Sequence, residues 1–241
     1  MTQKLTIPGD YQYQALNTGH TPQRFWHANK LELLNILDNF SPKDSVLDAG
    51  CGSGNIAFFL AHKVKKVIGL DLSQSAIDFA QQKVIETRVK NLSFQTADLR
   101  HLPFRDNSFT RVILFEVVEH LNLKDYQQIL SEIYRVLKPD GKLYLTTPNQ
   151  LSLWPLIEWF LDTFRLVPPL KNQQHILELT LPLVTQTLIR CGFKIEKTGT
   201  MNHLSPLFSI FSWKLAQQVF YFEIKYLKKF GPILWLVARK S

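Results

Sequence analysis

Short apolar runs alternate with amphipathic stretches from Ser45 to Asn149, and that alternation predicts an α/β fold with a parallel sheet. Two observations carry the prediction. Five runs rich in Val, Ile, Leu or Phe have strand length, and three helix-like stretches separate them. Right-handed crossovers then place helices on both faces, a doubly wound arrangement. A chain of 241 residues is long enough to bury a core of that size.

In chain order, apolar residues at helical spacing (Phe25, Leu31, Leu34, Leu37) predict a helix over Arg24–Phe40, and Pro42 to Ser45 mark a turn. Strands are expected at Ser45–Ala49, Lys66–Leu70, Leu92–Thr96, Arg111–Phe115 and Lys142–Thr146. Helices are expected at Asn55–Lys63, Gln74–Thr87 and Lys124–Leu137, with Ser73 as N-cap of the second and a turn at Lys138-Pro139-Asp140-Gly141 after the third. Beyond Asn149 come an apolar helix over Leu151–Phe164, a helix over Pro182–Cys191, and strands at Phe193–Thr198 and Ile233–Arg239. Some thirty residues separate those last strands, too many for a hairpin, so an insertion is expected there. Within it Leu204, Leu207, Phe211, Leu215, Val219, Phe222 and Tyr226 form an apolar stripe, with Lys214, Gln218, Tyr221, Lys225 and Lys228 on the other side.

Composition narrows the function classes. Hydrophobic residues make up 45% and charged residues 20%, which excludes a disordered or collagen-like chain. No uncharged apolar stretch is long enough to span a bilayer, and Met1 to Asp10 lacks the apolar run of a secretory leader. The expected location is therefore cytoplasmic. Two cysteines, Cys51 and Cys191, rule out a disulfide framework. The net charge is +8, and residues 151–241 carry most of it, with eleven basic and five acidic side chains and fourteen of the 29 aromatics. Such a region suits nucleic acid, an anionic membrane surface or an acidic ligand.

The richest segment is Val46-Leu47-Asp48-Ala49-Gly50-Cys51-Gly52-Ser53-Gly54-Asn55. Three glycines leave the main chain uncovered between strand and helix, where a ligand can approach it closely. Seventeen residues after Gly54 the second strand ends at Asp71, whose carboxylate can accept hydrogen bonds from both hydroxyls of a ribose. Together the two features specify a nucleoside-containing ligand. Gly52 to Ala57 also satisfies G-x-G-x-x-A, which keeps a dinucleotide and an NAD-dependent oxidoreductase in view. Asp48 argues otherwise, because a carboxylate before the glycines repels pyrophosphate and suits a cationic ligand.

The run DAGCGSG, the later GLDLS, Gln95-Thr96-Ala97-Asp98, Phe115-Glu116-Val117-Val118-Glu119-His120-Leu121 and Leu137-Lys138-Pro139-Asp140-Gly141-Lys142-Leu143 resemble the class I S-adenosylmethionine-dependent methyltransferases in order and interval. In motif style the closest are the small-molecule enzymes of ubiquinone biosynthesis. The resemblance implies a seven-stranded sheet, six strands parallel and the last antiparallel, with helical insertions after strand five and between strands six and seven. It implies one methyltransferase domain over residues 1–241, with a cofactor-binding core at 24–149 and acceptor lids or insertions at 151–191 and 201–231. Position by position, Asp48, Gly50, Cys51 and Gly52 would surround the methionine moiety of the cofactor. Asp71 would hold the ribose, with Leu72 against the adenine, and Ala97, Asp98 and Leu99 would meet the adenine amino group and ring. Phe115 would offer its carbonyl to the cofactor ammonium, and Arg24 would reach the carboxylate or make a surface salt bridge.

Methyl transfer from a sulfonium is an in-line displacement that depends on alignment in a dry site, helped by a base or a metal when oxygen is the nucleophile. If a short helix begins at Glu116, then Glu116, Glu119 and His120 share one face, and with His175 they form a candidate Mg²⁺ set. The alternative is that Glu119 and His120 cap and brace the loop. Either could instead be the catalytic group. The expected acceptor is a hydrophobic, lipid-like small molecule methylated at oxygen. The aromatic, basic segment 201–231 has three readings: an acceptor lid, a peripheral membrane contact, or a homodimer interface. An RNA methyltransferase and a non-catalytic scaffold are the rival functions. Nucleic acid is disfavoured because the basic residues are interleaved with large apolar ones.

Overall fold

Residues 8–152 and 176–241 are described in a computed structural model. The chain opens with helices α1 (Tyr11–Asn17) and α2 (Thr21–Leu37), the latter started by Pro22 in its first turn, where a missing N–H costs nothing. The α/β repeat follows: β1 (Ser45–Ala49), α3 (Asn55–Ala61), β2 (Lys66–Asp71), α4 (Gln74–Thr87), β3 (Leu92–Thr96), β4 (Phe109–Phe115), α5 (Leu123–Val136) and β5 (Leu137–Pro148). The remainder comprises α6 (Leu181–Arg190), β6 (Phe193–Met201), α7 (Ser205–Phe208), α8 (Trp213–Tyr226) and β7 (Ile233–Lys240).

Among the described residues seven strands form one sheet in the order β3-β2-β1-β4-β5-β7-β6. β1 pairs in parallel with β2 and β4, and β7 runs antiparallel between β5 and β6. This is the doubly wound, mostly parallel sheet that the sequence predicts. Its strand order reverses at β1, so the crevice beyond the carboxyl ends of β1 and β4 is where such a sheet binds ligands.

Alternate strand residues feed two cores. Val46, Val67, Phe94, Ile113, Tyr144 and Trp235 pack under Phe25, Leu33 and Leu34 of α2, Leu60 of α3 and Phe220 of α8. Leu47, Val112, Leu114, Leu143, Leu145 and Leu236 pack under Ile129, Leu130 and Ile133 of α5 and Val184 and Leu188 of α6. α5 buries Tyr126, Ile129, Leu130, Ile133 and Val136, the spacing of one helix face, and starts where Asn122 accepts the N–H of Asp125 at 2.9 Å. Ser73 caps α4 in the same way through the N–H of Ala76.

One expectation needs correction. Lys138-Pro139-Asp140-Gly141 is not a free turn. It lies inside β5 as an irregularity, between the pairs Phe109↔Leu137 and Arg111↔Lys142, with Asp140 at φ +61°. The apolar stripe of the insertion, whose direction the sequence leaves open, faces largely outward. α8 buries Ala216, Phe220 and Glu223, and Leu215, Phe222 and Tyr226 are exposed. The expected helix Leu151–Phe164 falls largely outside the described residues.

Candidate active site

The turn after β1 is stitched to the end of β2. The N–H groups of Gly50 and Cys51 both donate to the carbonyl of Leu70, at 2.7 and 2.9 Å. Gly50, Gly52 and Gly54 have φ of +79°, +50° and +86°, a region L side chains rarely adopt. Space restricts all three as well: a side chain at Gly50 would run into Val117, one at Gly52 into Gln12 of α1, and one at Gly54 into Phe94. Asp71 faces this turn. Its Oδ2 accepts the N–H of Gly52 at 2.8 Å and its Oδ1 that of Ser73 at 2.8 Å.

Asp48 lies beneath the turn, 2% exposed, with its Oδ2 lacking any hydrogen-bond partner. Burial pushes its pKa up to about 7, helped by the charge of Asp71 and opposed by the N–H of Ala57. Burial, with Asp48 and Asp71 nearby, also raises the Cys51 thiol well above its usual value, which makes it inert.

A hollow opens between α2 and this turn. It is lined by Gly50 and Cys51 of the turn, Asn55 and Ile56 of α3, and His27, Lys30 and Leu31 of α2. Phe115 and Glu116, at the end of β4, and Gln12 of α1 line it too. Lys30 and Glu116 form an ion pair in this hollow, their side chains 10% and 26% exposed. Beside them burial lowers the pKa of His27 to about 4, aided by the Lys30 charge and opposed by Glu116, so the imidazole is neutral.

The adenine-side candidates cluster at the tip of β3. The N–H of Ala97 donates to the carbonyl of Asp71 at 3.0 Å, Leu99 is buried, and Leu72 is 68% exposed. The Asp98 carboxylate is gripped by Arg100, which holds it below the usual carboxylate range. Arg24 lies apart from the hollow, exposed, with its guanidinium 6.0 Å from the centre of the Trp213 ring. Lys30 is the cation at the hollow instead.

The run 116–120 is not the helix face anticipated. Glu116 takes a left-handed conformation, φ +55°, and only a single 3-10 turn, Val118–His120, follows. Glu116 therefore points to Lys30, whereas Glu119 is buried against the Thr147 hydroxyl at 3.1 Å. Burial first, then the charge of Glu116, raises the Glu119 pKa to about 8, so it is mostly protonated at neutral pH. His120 is exposed at the end of the turn. Among the described residues no group of three His, Cys, Asp or Glu could hold a metal, and His175 lies outside them. The anticipated Mg²⁺ set gains no support.

Sequence reasoning missed Gln12, His27, Lys30 and Asn55. A signal existed for Lys30: with Asn29 it falls on the same α2 face as Phe25, Leu33, Leu34 and Leu37, a polar pair inside an apolar stripe. Gln12 carried none, because α1 buries only Ala15.

A family model described as a methyltransferase domain matches residues 46–141. A Mycolicibacterium smegmatis protein named "Probable S-adenosylmethionine-dependent methyltransferase" is 29% identical over 185 residues, 77% of this chain and 65% of that protein. A demethylmenaquinone methyltransferase of Bacillus cereus is 30% identical over 162 residues, 66% of this chain and 67% of its own length. The chain belongs to the class I S-adenosylmethionine-dependent methyltransferases. The fold agrees: the crystal structure of an S-adenosylmethionine-dependent methyltransferase from Mesorhizobium loti superposes with a TM-score of 0.62 at 18% identity, over 87% of this chain and 96% of that one.

Membership implies S-adenosylmethionine as cofactor, and the residues fit it. The unpartnered Asp48 oxygen supplies a carboxylate that suits a cation, and Gly50 and Cys51 of the same turn line the hollow. Asp71 at the rim has the acceptor oxygens a ribose requires.

Proposed function

We propose that this methyltransferase acts on an apolar, quinone-like small molecule. The observation that carries this reading is the hollow where the glycine turn, held from behind by Asp71, meets the Lys30–Glu116 pair. Similarity to demethylmenaquinone methyltransferases over two thirds of one such protein supports the acceptor class.

S-adenosylmethionine, when bound, supplies a methyl group on a positively charged sulfur. The chain's residues do the rest. Asp71 would hold the ribose hydroxyls, Asp48 and the Gly50–Gly52 main chain the amino-acid end, and Lys30 its carboxylate. Leu72 and Leu99 would pack on the adenine, with Ala97 and Asp98 at its amino group. Phe115, buried at the end of β4, lines the hollow and would help keep water from the methyl group. Glu116 is the carboxylate placed to take a proton from a hydroxyl acceptor once Lys30 turns to the cofactor. Glu119, protonated and bonded to Thr147, positions the loop that carries Glu116 and His120.

Incubating the chain with methyl-labelled cofactor and a demethylated quinol, a phenol of similar size and bulk RNA tests this reading. Label on the quinol or phenol, with the methylated atom read by mass spectrometry, is the expected outcome. Label confined to RNA would replace the reading with the rival.

A further inference from the structure

The segment between β6 and β7 turns its aromatic side outward. Phe211 is 82% exposed, Phe222 55%, and Leu215, Tyr226 and Phe230 are exposed with them. At 100° per residue, Leu215, Phe222 and Tyr226 fall within about 40° of one another on α8, with Lys214 and Lys225 bordering them. Lys228 and Lys229 follow the helix and are exposed. Among the described residues none of these four lysines is paired with a carboxylate.

The one carboxylate of residues 201–231 is withdrawn. Glu223 is 1% exposed and accepts the N–H groups of His203, Leu204 and Ser205 and the Ser205 hydroxyl, at 2.7–3.2 Å. It fastens α8 to the start of α7 and leaves the outer face with cations alone. Glu32 of α2 accepts a hydrogen bond from the Tyr221 hydroxyl.

We propose that this face docks on an anionic lipid surface. Contiguous exposed aromatics mark an interaction site, and aromatics bordered by lysines match the headgroup layer of a bilayer. A second copy fits less well, because a two-fold interface would bring two sets of four lysines together. The face also lies beside the hollow. α8 packs on α2 through the edge-to-face pair Phe25–Trp213, centroids 4.9 Å apart, and α2 carries His27 and Lys30 into the site. A docked chain would thus hold its active site next to the membrane. The inference rests on the surface and not on which acceptor is used.

Flotation of the full chain with phosphatidylcholine vesicles, with and without phosphatidylglycerol, tests it. Binding is expected with phosphatidylglycerol at low salt, falling roughly tenfold or more in high salt or on neutral vesicles. Phe211→Ser with Phe222→Ser should abolish binding, and Lys214→Gln with Lys225→Gln should remove its preference for anionic lipid. Both pairs are exposed, so unfolding midpoints should match the parent. Absence of binding at low salt, or equal binding to neutral and anionic vesicles, would overturn the proposal. So would a lipid-free dimer that Phe222→Ser dissociates.

Discussion

Asp71 and Gly52, nineteen residues apart, are joined by a 2.8 Å hydrogen bond from the Gly52 N–H to the Asp71 carboxylate. The bond ties the tip of β2 to the glycine turn, and under the proposed function the same side chain would hold the ribose. Asp71→Ala should therefore weaken S-adenosylmethionine by roughly 1–3 kcal/mol, read by calorimetry. Asp71→Asn keeps an acceptor for Gly52 and should fall between. Unchanged affinity in both would remove Asp71 from the site.

The Lys30–Glu116 pair predicts a coupling. Both side chains are largely buried, so removing one leaves the other charge without its partner. A double-mutant cycle of Lys30→Met and Glu116→Gln, followed by urea unfolding, should give a coupling of roughly 1–3 kcal/mol. Lys30→Met should also weaken cofactor binding, whereas Arg24→Met should leave it close to the parent. Additive single effects would show that the pair carries no energy.

What was legible in the sequence follows a physical division. β1, β3 and α4 have the residue limits expected, because central β1 is an apolar run ended by a glycine, edge strand β3 alternates buried Leu92 and Phe94 with polar residues, and Ser73 announces a helix start. The glycine turn and Asp71 were legible for the same local reason. The side toward which α8 turns was not, since periodicity shows that a face is apolar but not what it meets. Toward the rest of the chain α8 turns small Ala216 and Glu223, latched to Ser205, and leaves Phe222 outside. Glu116–His120 failed as a helix because Glu116 has positive φ and its N–H is held by the Thr146 carbonyl at 2.9 Å.

Glu119 makes stability depend on pH. Its folded pKa of about 8 lies above the ordinary value, so between those limits the folded chain binds more protons than the unfolded one, and stability falls as pH rises. Glu119→Gln mimics the protonated form and should remove that fall, gaining on the parent by roughly 1–3 kcal/mol between about pH 5 and pH 8. His27 runs the other way: its pKa is lowered to about 4, so its contribution is complete above its ordinary value and is lost as pH falls toward 4. Parallel pH profiles of parent and Glu119→Gln unfolding would show that Glu119 is already ionised at neutral pH.

Glu223 supplies the last test, which separates architecture from chemistry. Its carboxylate serves three consecutive N–H groups and a hydroxyl at a site closed to solvent. Glu223→Ala strands those donors and should cost roughly 2–4 kcal/mol in urea unfolding. Glu223→Gln keeps one acceptor oxygen but brings an NH₂ against N–H donors, so most of the loss should persist. Cofactor affinity should hold in both variants below their unfolding midpoints, because no Glu223 atom reaches the hollow. A loss of affinity without a loss of stability would mean that α8 takes part in the site directly.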